Sequence, residues 1–372
     1  MAHPTDDSTF HYPLRVSNAV YALGGFVNSL PKPLANFPLI AETEGVAFLF
    51  KPFGMDQLYR LLACHRPILL RRPFGWGIEM FMTTFAARVA ISPFVPFDTF
   101  YVDECTIDSG VGLHEDTILP LDFGGVNLSG VDVEADVAAA LTGYVHRRCQ
   151  QYAEHYAIRD ILPIECFLAS KSPAAQIISY TIVRPLTSGM MIDRTNSPID
   201  CTSQGQSHCK QLPVILLIEN FDAIQTSEAE RVLNAFFHRL EDMVVTGHMK
   251  ALILFSDMDD DENLRVPNLQ HTVDVTHHPA FQTAVGCAER DVRDLDRALA
   301  KSFPEARGDI FQLLKYKNFS PVVFTDPEWD KELPPSHPLR AAKLRLSEGN
   351  RGVYPLEPVM EVLTEKYSLE QP

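Results

Sequence analysis

The sequence predicts an α/β protein whose mostly parallel sheet is covered by helices on both faces. Short apolar runs, of the kind that form strands buried on both sides, recur at 66–71, 117–122, 213–219 and 250–256. Helix-like segments separate these runs, as in the crossover connections between parallel strands. We therefore expect one open sheet, with the run 66–71 beside the run 250–256 at its centre.

The helices are predicted from apolar residues that recur every three or four positions. The predicted helical segments are 55–63, 78–90, 131–156, 173–183, a helix from a capping box at Ser227 and Glu230, 289–303 and 356–366. The segment 267–281 is predicted to be mostly loop, because it is polar and aperiodic.

The most informative stretch is 65–90. Its apolar run breaks into a turn at 71–77 and continues into an apolar helix. This strand–loop–helix outline is typical of a phosphate-binding loop, in which backbone N–H groups and a helix N-terminus hold anionic oxygens. In such a loop a lysine and a hydroxyl residue follow the second glycine. With Gly75 as that glycine, Trp76 and Gly77 occupy these two positions, and Leu70 occupies that of the first glycine.

Five blocks in the same order resemble the AAA-ATPase-like domain family, a P-loop branch often followed by a PD-(D/E)XK nuclease-like domain. The blocks are LRRPFGWGIEMF (70–81), ILPLDFGG (118–125), ILLIENFD (215–222), NLQHTVDVTHHPAFQTAVGCAERDV (268–292) and GVYPLEPV (352–359). The resemblance covers about residues 37–365 and implies a P-loop NTPase-like fold. We expect no nuclease-like domain, because the sequence ends soon after the last block.

The resemblance also implies a nucleotide site, but its chemistry is altered. The family's lysine corresponds to Trp76, its serine to Gly77, its metal-associated aspartate to Glu219 and the following glutamate to Asn220. Lysine and Mg²⁺ neutralise charge on the phosphates in phosphoryl transfer, and Trp76 and Gly77 supply neither a cation nor a metal ligand. The residues of this vestigial nucleotide site are Arg71, Arg72, Phe74, Gly75, Trp76, Gly77, Glu219 and Asp222.

Two functional hypotheses follow. The first is a catalytically impaired P-loop-fold protein that acts by binding a protein partner or, weakly, a nucleotide. The alternative is an active ATPase or nucleotide-driven switch in which Arg71 or Arg72 replaces the missing lysine. We predict no catalytic residue and no metal site, and at most weak binding of ATP and Mg²⁺. Restoring a lysine at Trp76 and a serine at Gly77 is expected to raise nucleotide affinity if the loop keeps its shape.

Composition and charge narrow the class of partner. The formal net charge of −16 disfavours nucleic acid, because a phosphate backbone is repelled at long range. No apolar run reaches the length of a membrane span, and the N-terminus has no signal-peptide pattern. The seven cysteines form no C-x-x-C pair, which fits reduced thiols in an intracellular compartment. We expect an intracellular, cytoplasmic protein without a membrane segment.

The chain is predicted to form one domain preceded by an arm. Residues 1–36 contain several prolines and little periodicity, and we interpret them as an extended N-terminal arm. Residues 37–372 form the AAA-ATPase-like domain, with a P-loop-like core at about 55–260. The remaining third, about 261–372, is expected to be less regular, because prolines and charges are frequent there.

Overall fold

The computed structural model describes a large part of the chain. The described residues are 20–22, 27, 29–31, 40, 43–90, 116–126, 134–155, 174–179, 214–224, 227–258, 269–323 and 352–369. Several predictions lie wholly or largely outside these residues, including most of the arm 1–36 and the end of the helix predicted at 173–183.

Five strands form one all-parallel sheet in the order β4-β5-β6-β3-β7. The strands of the described chain are β1 (Val20–Ala22), β2 (Ala47–Leu49), β3 (Ile68–Pro73), β4 (Thr117–Asp122), β5 (Val214–Glu219), β6 (Ala251–Met258), β7 (Val273–Asp274), β8 (Cys287–Ala288) and β9 (Val353–Tyr354). Two small antiparallel pairs, β1 with β2 and β8 with β9, lie outside this sheet. Strand β1 comes from the segment interpreted as the arm.

The predicted arrangement of the sheet is confirmed. All four predicted runs are parallel strands of this sheet, and β3 lies beside β6, with Leu70 opposite Phe255. The fifth strand, β7, was not predicted, although the described residues of its segment, 269–281, are mostly loop as expected. It pairs only Val273 and Asp274 with Ile68 and Leu69 of β3, which is too short to leave an apolar run in the sequence.

Helices cover both faces of the sheet. The helices are α1 (Pro52–Leu62), α2 (Ile78–Val89), α3 (Glu134–His155), α4 (Ala174–Ile178), α5 (Ser227–Val245), α6 (Glu289–Ser302), α7 (Ile310–Tyr316) and α8 (Leu356–Tyr367). Alternate residues of each strand bury their side chains in two separate cores. Helices α1, α2, α6, α7 and α8 contribute to the core that contains Leu70, and α3, α4 and α5 to the core that contains Leu69.

The C-terminal part of the chain closes over the first of these cores. Helices α6 and α8 agree with the predicted segments, whereas α7 was not predicted. Val322 and Val353 form an antiparallel bridge that extends the β8–β9 pair. None of the helices in the described ranges combines the length and apolar composition that a membrane span needs.

Candidate functional site

The loop between β3 and α2 is shorter than the sequence suggested. The turn was predicted to begin at Arg71, but β3 continues to Pro73, and Arg71 and Arg72 lie opposite Ser256 and Asp257 of β6. The loop is therefore Phe74 to Gly77, and the Trp76 N–H donates a hydrogen bond to the Pro73 carbonyl at 3.3 Å. Residues 71–73, which a phosphate-binding loop would place around its ligand, are therefore paired in the sheet.

Both glycines of the loop are in the left-handed region and touch α8. Gly75 has a φ of +79° and Gly77 a φ of +84°. A Cβ on Gly75 would lie 2.5 Å from the Glu357 Oε2 atom, and one on Gly77 would lie 2.5 Å from the Leu356 Cδ2 atom. The Glu357 N–H also donates a hydrogen bond to the Gly75 carbonyl at 2.9 Å. The first turn of α8 thus covers one side of the loop.

Trp76 is a core residue in this structure. Its side chain is 4% exposed and belongs to the core on the α2 face of the sheet. It lines a small space of about 20 Å³ together with Gly286 and Leu356. The indole therefore fills the interior between the loop and the C-terminal helix, in place of a cation directed at a ligand.

An open crevice of about 240 Å³ lies on the other side of the loop, at the carboxyl ends of β3, β5 and β6. Open α/β sheets generally bind ligands at this end. The crevice is lined by Phe74, Gly75, Gly77, Ile78, Glu79, Glu219, Asn220, Phe255, Ser256 and Asp257. The structure thus brings four of the predicted site residues together, namely Phe74, Gly75, Gly77 and Glu219. Neither lysine nor arginine occurs among the described residues that line it.

The crevice is strongly acidic. Glu79 lies in the first turn of α2 and lines the same crevice as Glu219 and Asp257. Burial, with the added effect of the carboxylates of Glu79, Asp122 and Asp257, raises the pKa of Glu219 from 4.5 to about 8. No three histidine, cysteine or acidic residues of the described ranges are arranged to hold a metal ion.

The two arginines of the predicted site point elsewhere. Arg72 is 0% exposed, and its guanidinium donates hydrogen bonds to the carbonyls of Thr276 and Phe281 at 2.6 and 2.9 Å. Burial lowers the pKa of Arg72 to about 10. The guanidinium of Arg71 lies 3.8 Å from the Asp274 carboxylate. Arg71 thus holds β7, and Arg72 the segment after it, against β3.

Asp222 has a local structural contact. The Ser256 hydroxyl donates to its carboxylate at 2.5 Å, which joins the turn after β5 to the end of β6. Beside it, the Asn220 side-chain amide donates to the Asp122 carboxylate at 2.9 Å. Asn220 has a φ of +50°, a conformation that asparagine tolerates better than most residues.

Sequence reasoning did not assign Asp122, Ser256 and Asp257 to the site. A signal for them was available, since each stands at the carboxyl end of a predicted strand, and such ends meet at one edge of a parallel sheet. The loop resemblance directed attention to residues 71–77 and away from these positions. Comparison with known proteins adds no assignment: no protein-family model matches this sequence, and a search of curated proteins finds no significant match.

Proposed function

We propose that this chain is a catalytically impaired P-loop-like domain, of the AAA-ATPase type that it resembles, and that it acts by binding a protein partner. The sheet order supports the type of fold. Counted from the strand before the loop, the order is 5-1-4-3-2, with β6 inserted between β3 and the acidic strand β5. An all-parallel sheet of five strands with helices on both faces is consistent with a P-loop-like fold.

One observation carries the functional part of the proposal, namely the burial of Trp76. The position where the family has a phosphate-binding lysine is occupied by a buried indole that lies against Gly286 and lines the same small space as Leu356. The adjacent position, Gly77, offers no hydroxyl. The loop is thus adapted to support α8 instead of a triphosphate.

The charge of the crevice supports the same proposal. A nucleotide triphosphate bound there would place its anionic oxygens beside Glu79, Glu219 and Asp257. Glu79 and Asp257 would repel these oxygens, and two unit charges at about 4 Å interact by about 4 kcal/mol near a protein surface. Glu219 has a pKa of about 8, so it is mostly protonated at neutral pH and adds little to this repulsion. The N-terminus of α2 is also complemented internally by the Glu79 carboxylate in its first turn.

Phe74 supports a protein partner. It lines the crevice, and its side chain is 57% exposed, although large aromatic side chains are usually buried. Exposed aromatic residues beside a concave surface are frequent anchors in protein interfaces. The crevice with Phe74 at its rim therefore offers a contact surface for a partner.

Calorimetric titration with ATP and Mg²⁺, together with a phosphate-release assay, tests the proposal. We expect a Kd of about 1 mM or weaker and no Mg²⁺-dependent turnover. Arg71→Ala should change neither result, because the Arg71 guanidinium lies near Asp274. Robust hydrolysis that Arg71→Ala abolishes would overturn the proposal in favour of the arginine-dependent ATPase.

A further inference from the structure

Helix α6 separates its charges between two faces. Its apolar residues Val292, Leu295 and Leu299 are buried in the core. The opposite face carries four basic residues, Arg290, Arg293, Arg297 and Lys301, which we call the basic stripe. At 100° and 1.5 Å per residue, these four positions fall within about 80° of one another and span about 16 Å of the helix.

The acidic residues of α6 are mostly turned away from this stripe. Asp291 is buried and forms an ion pair with Lys51, and Asp296 accepts a hydrogen bond from Lys366. Asp294 is buried beneath the stripe. Glu289, which pairs with Arg293, is the acidic residue of the helix that remains exposed. A helix with as many acidic as basic residues thus presents a positive face to solvent.

The arginines of the stripe keep most of their binding capacity. The side chains of Arg290 and Arg297 are 67% and 63% exposed, although both pair with Asp294. Each guanidinium has five N–H donors, and one internal carboxylate uses only one or two of them. Asp294 is buried and keeps its contact with both arginines, and the remaining N–H groups of the guanidiniums stay available to the carboxylates of a partner.

The net charge of the whole chain indicates which class of partner can bind the stripe. A formal net charge of −16 repels extended polyanions such as nucleic acids and anionic membranes at long range. An acidic peptide segment carries few charges and feels mainly the field within about 8–10 Å of the stripe. The stripe also lacks an exposed large apolar residue for insertion into a bilayer, since Ala300 is the exposed apolar residue of α6.

We propose that the basic stripe of α6 is the docking surface for an acidic segment of a protein partner. This inference rests on the proposed function in assigning partner binding, and it adds the chemistry of the partner. Carboxylates spaced three or four residues apart on a helix would match the spacing of the stripe. Guanidinium groups suit such contacts, because each can bind a carboxylate through two parallel hydrogen bonds.

Fluorescence anisotropy with a labelled helical peptide tests this proposal. The probe carries glutamate at every third or fourth position among alanines, and a second peptide has lysine in place of glutamate. We expect the full chain to bind the glutamate peptide, more weakly as salt rises from about 0.05 to 0.5 M. The acidic chain attracts the lysine peptide nonspecifically, and we expect this attraction not to weaken when the stripe is altered. Arg290→Gln with Lys301→Gln should weaken binding about five- to tenfold.

A matched control distinguishes the effect of the stripe from the effect of losing two positive charges anywhere on the chain. Arg231→Gln with Arg239→Gln removes two exposed arginines of α5 and should leave peptide affinity unchanged. Both double variants keep Arg297 beside Asp294, and thermal melting checks that they fold. Equal weakening in the control, or failure to bind the glutamate peptide, would overturn the proposal.

Two further arms use single-stranded poly-uridine RNA and phosphatidylserine vesicles. Binding of either one in preference to the peptide would also contradict the proposal. Peptide binding and ATP hydrolysis are measured independently, so the docking surface and the loss of nucleotide chemistry can fail separately.

Discussion

The indole of Trp76 lies against the backbone of Gly286. A Cβ on Gly286 would come within 2.7 Å of the Trp76 Cε3 atom and 2.9 Å of the Tyr354 carbonyl oxygen. Gly286 also has a φ of +86°, which glycine adopts at no steric cost. Three distant parts of the chain therefore meet at Gly286, and the loop contributes Trp76 to this contact. This contact makes position 76 a determinant of stability.

Replacement of Trp76 by alanine should lower the free energy of unfolding by about 3–5 kcal/mol, the range for truncation of a large buried aromatic residue. Phe74→Ala, two residues away and 57% exposed, is the matched control and should cost less than about 1 kcal/mol. Urea denaturation measures both values. Similar losses in the two variants would show that Trp76 is not the anchor of the loop.

Replacement of Gly77 by alanine should be more damaging than the same change at Gly247. Both glycines have positive φ values, +84° and +75°, but an added methyl group would meet a described neighbour within 4 Å only at Gly77, where it reaches Leu356. The strained backbone should cost about 1–2 kcal/mol at each site, and the clash about 1–3 kcal/mol more at Gly77. Equal losses in thermal or urea unfolding would mean that α8 moves away freely.

The contacts of Trp76 and Gly77 change the expected effect of restoring a lysine and a serine at these two positions. Trp76→Lys would place an ammonium group in the core, and Gly77→Ser would strain a left-handed residue against Leu356. We therefore expect this double variant to lose stability without gaining affinity for ATP. Denaturation and nucleotide titration of the same preparation measure both effects, and tighter ATP binding in a stably folded variant would contradict the prediction.

Glu219 should make stability fall as pH rises. Its pKa is raised from 4.5 to about 8, so between these values the folded state holds a proton that the unfolded state releases. The stabilising contribution is complete below about pH 4.5 and is lost as pH rises through 8. Glu219→Gln should therefore leave stability at about pH 5 nearly unchanged and raise it by about 3 kcal/mol at about pH 9.

Urea denaturation at about pH 5, 7 and 9 measures this dependence. Glu305→Gln removes an exposed carboxylate and should keep the pH dependence of the unaltered chain. Glu79, Asp122 and Asp257 act on Glu219 and remain in both variants. A Glu219→Gln protein with an unchanged pH profile would show that another group carries the dependence.

Lys250 should be required for stability at the end of the sheet opposite the crevice. Its ammonium group lies 2.7 Å from both carboxylate oxygens of the fully buried Asp116 and 2.9 Å from the Tyr59 hydroxyl. Lys250→Met should cost about 3–5 kcal/mol of unfolding free energy, because Asp116 loses its cation. Tyr59→Phe should cost only about 1 kcal/mol. Equal costs in urea denaturation would contradict this ranking.

The strands could be predicted because each leaves a local signal. Residues 213–219 and 250–256 are continuous apolar runs, and burial on both faces requires such runs. Strand β7 leaves none, since its two residues are held by pairing with Ile68 and Leu69 and by contacts of Arg71 and Arg72 with the following segment. Its position depends on partners some 200 residues away in the chain, as the separation of Arg72 and Thr276 shows.

The site was predictable in its position but only partly in its chemistry. The ends of predicted strands locate Glu219 correctly at the carboxyl edge of the sheet. The resemblance aligns Trp76 with a lysine, but the sequence does not show where the indole goes, because Gly286 and Leu356 come near it only through tertiary packing. The same holds for Arg72, whose guanidinium is bound by carbonyls of a distant segment.

The hydrogen bond from the Glu357 N–H to the Gly75 carbonyl also bears on the order in which the protein folds during synthesis. Helix α8 follows every strand of the sheet in the chain, so a ribosome delivers it after the sheet strands have emerged. Contacts between such distant residues form slowly, because a long loop must close first. Until α8 arrives, Trp76 stays in water and the nascent sheet exposes an apolar edge of the kind that chaperones hold. In a Trp329→Phe variant, which leaves Trp76 as the only tryptophan of the sequence, indole fluorescence would therefore follow the last stage of folding.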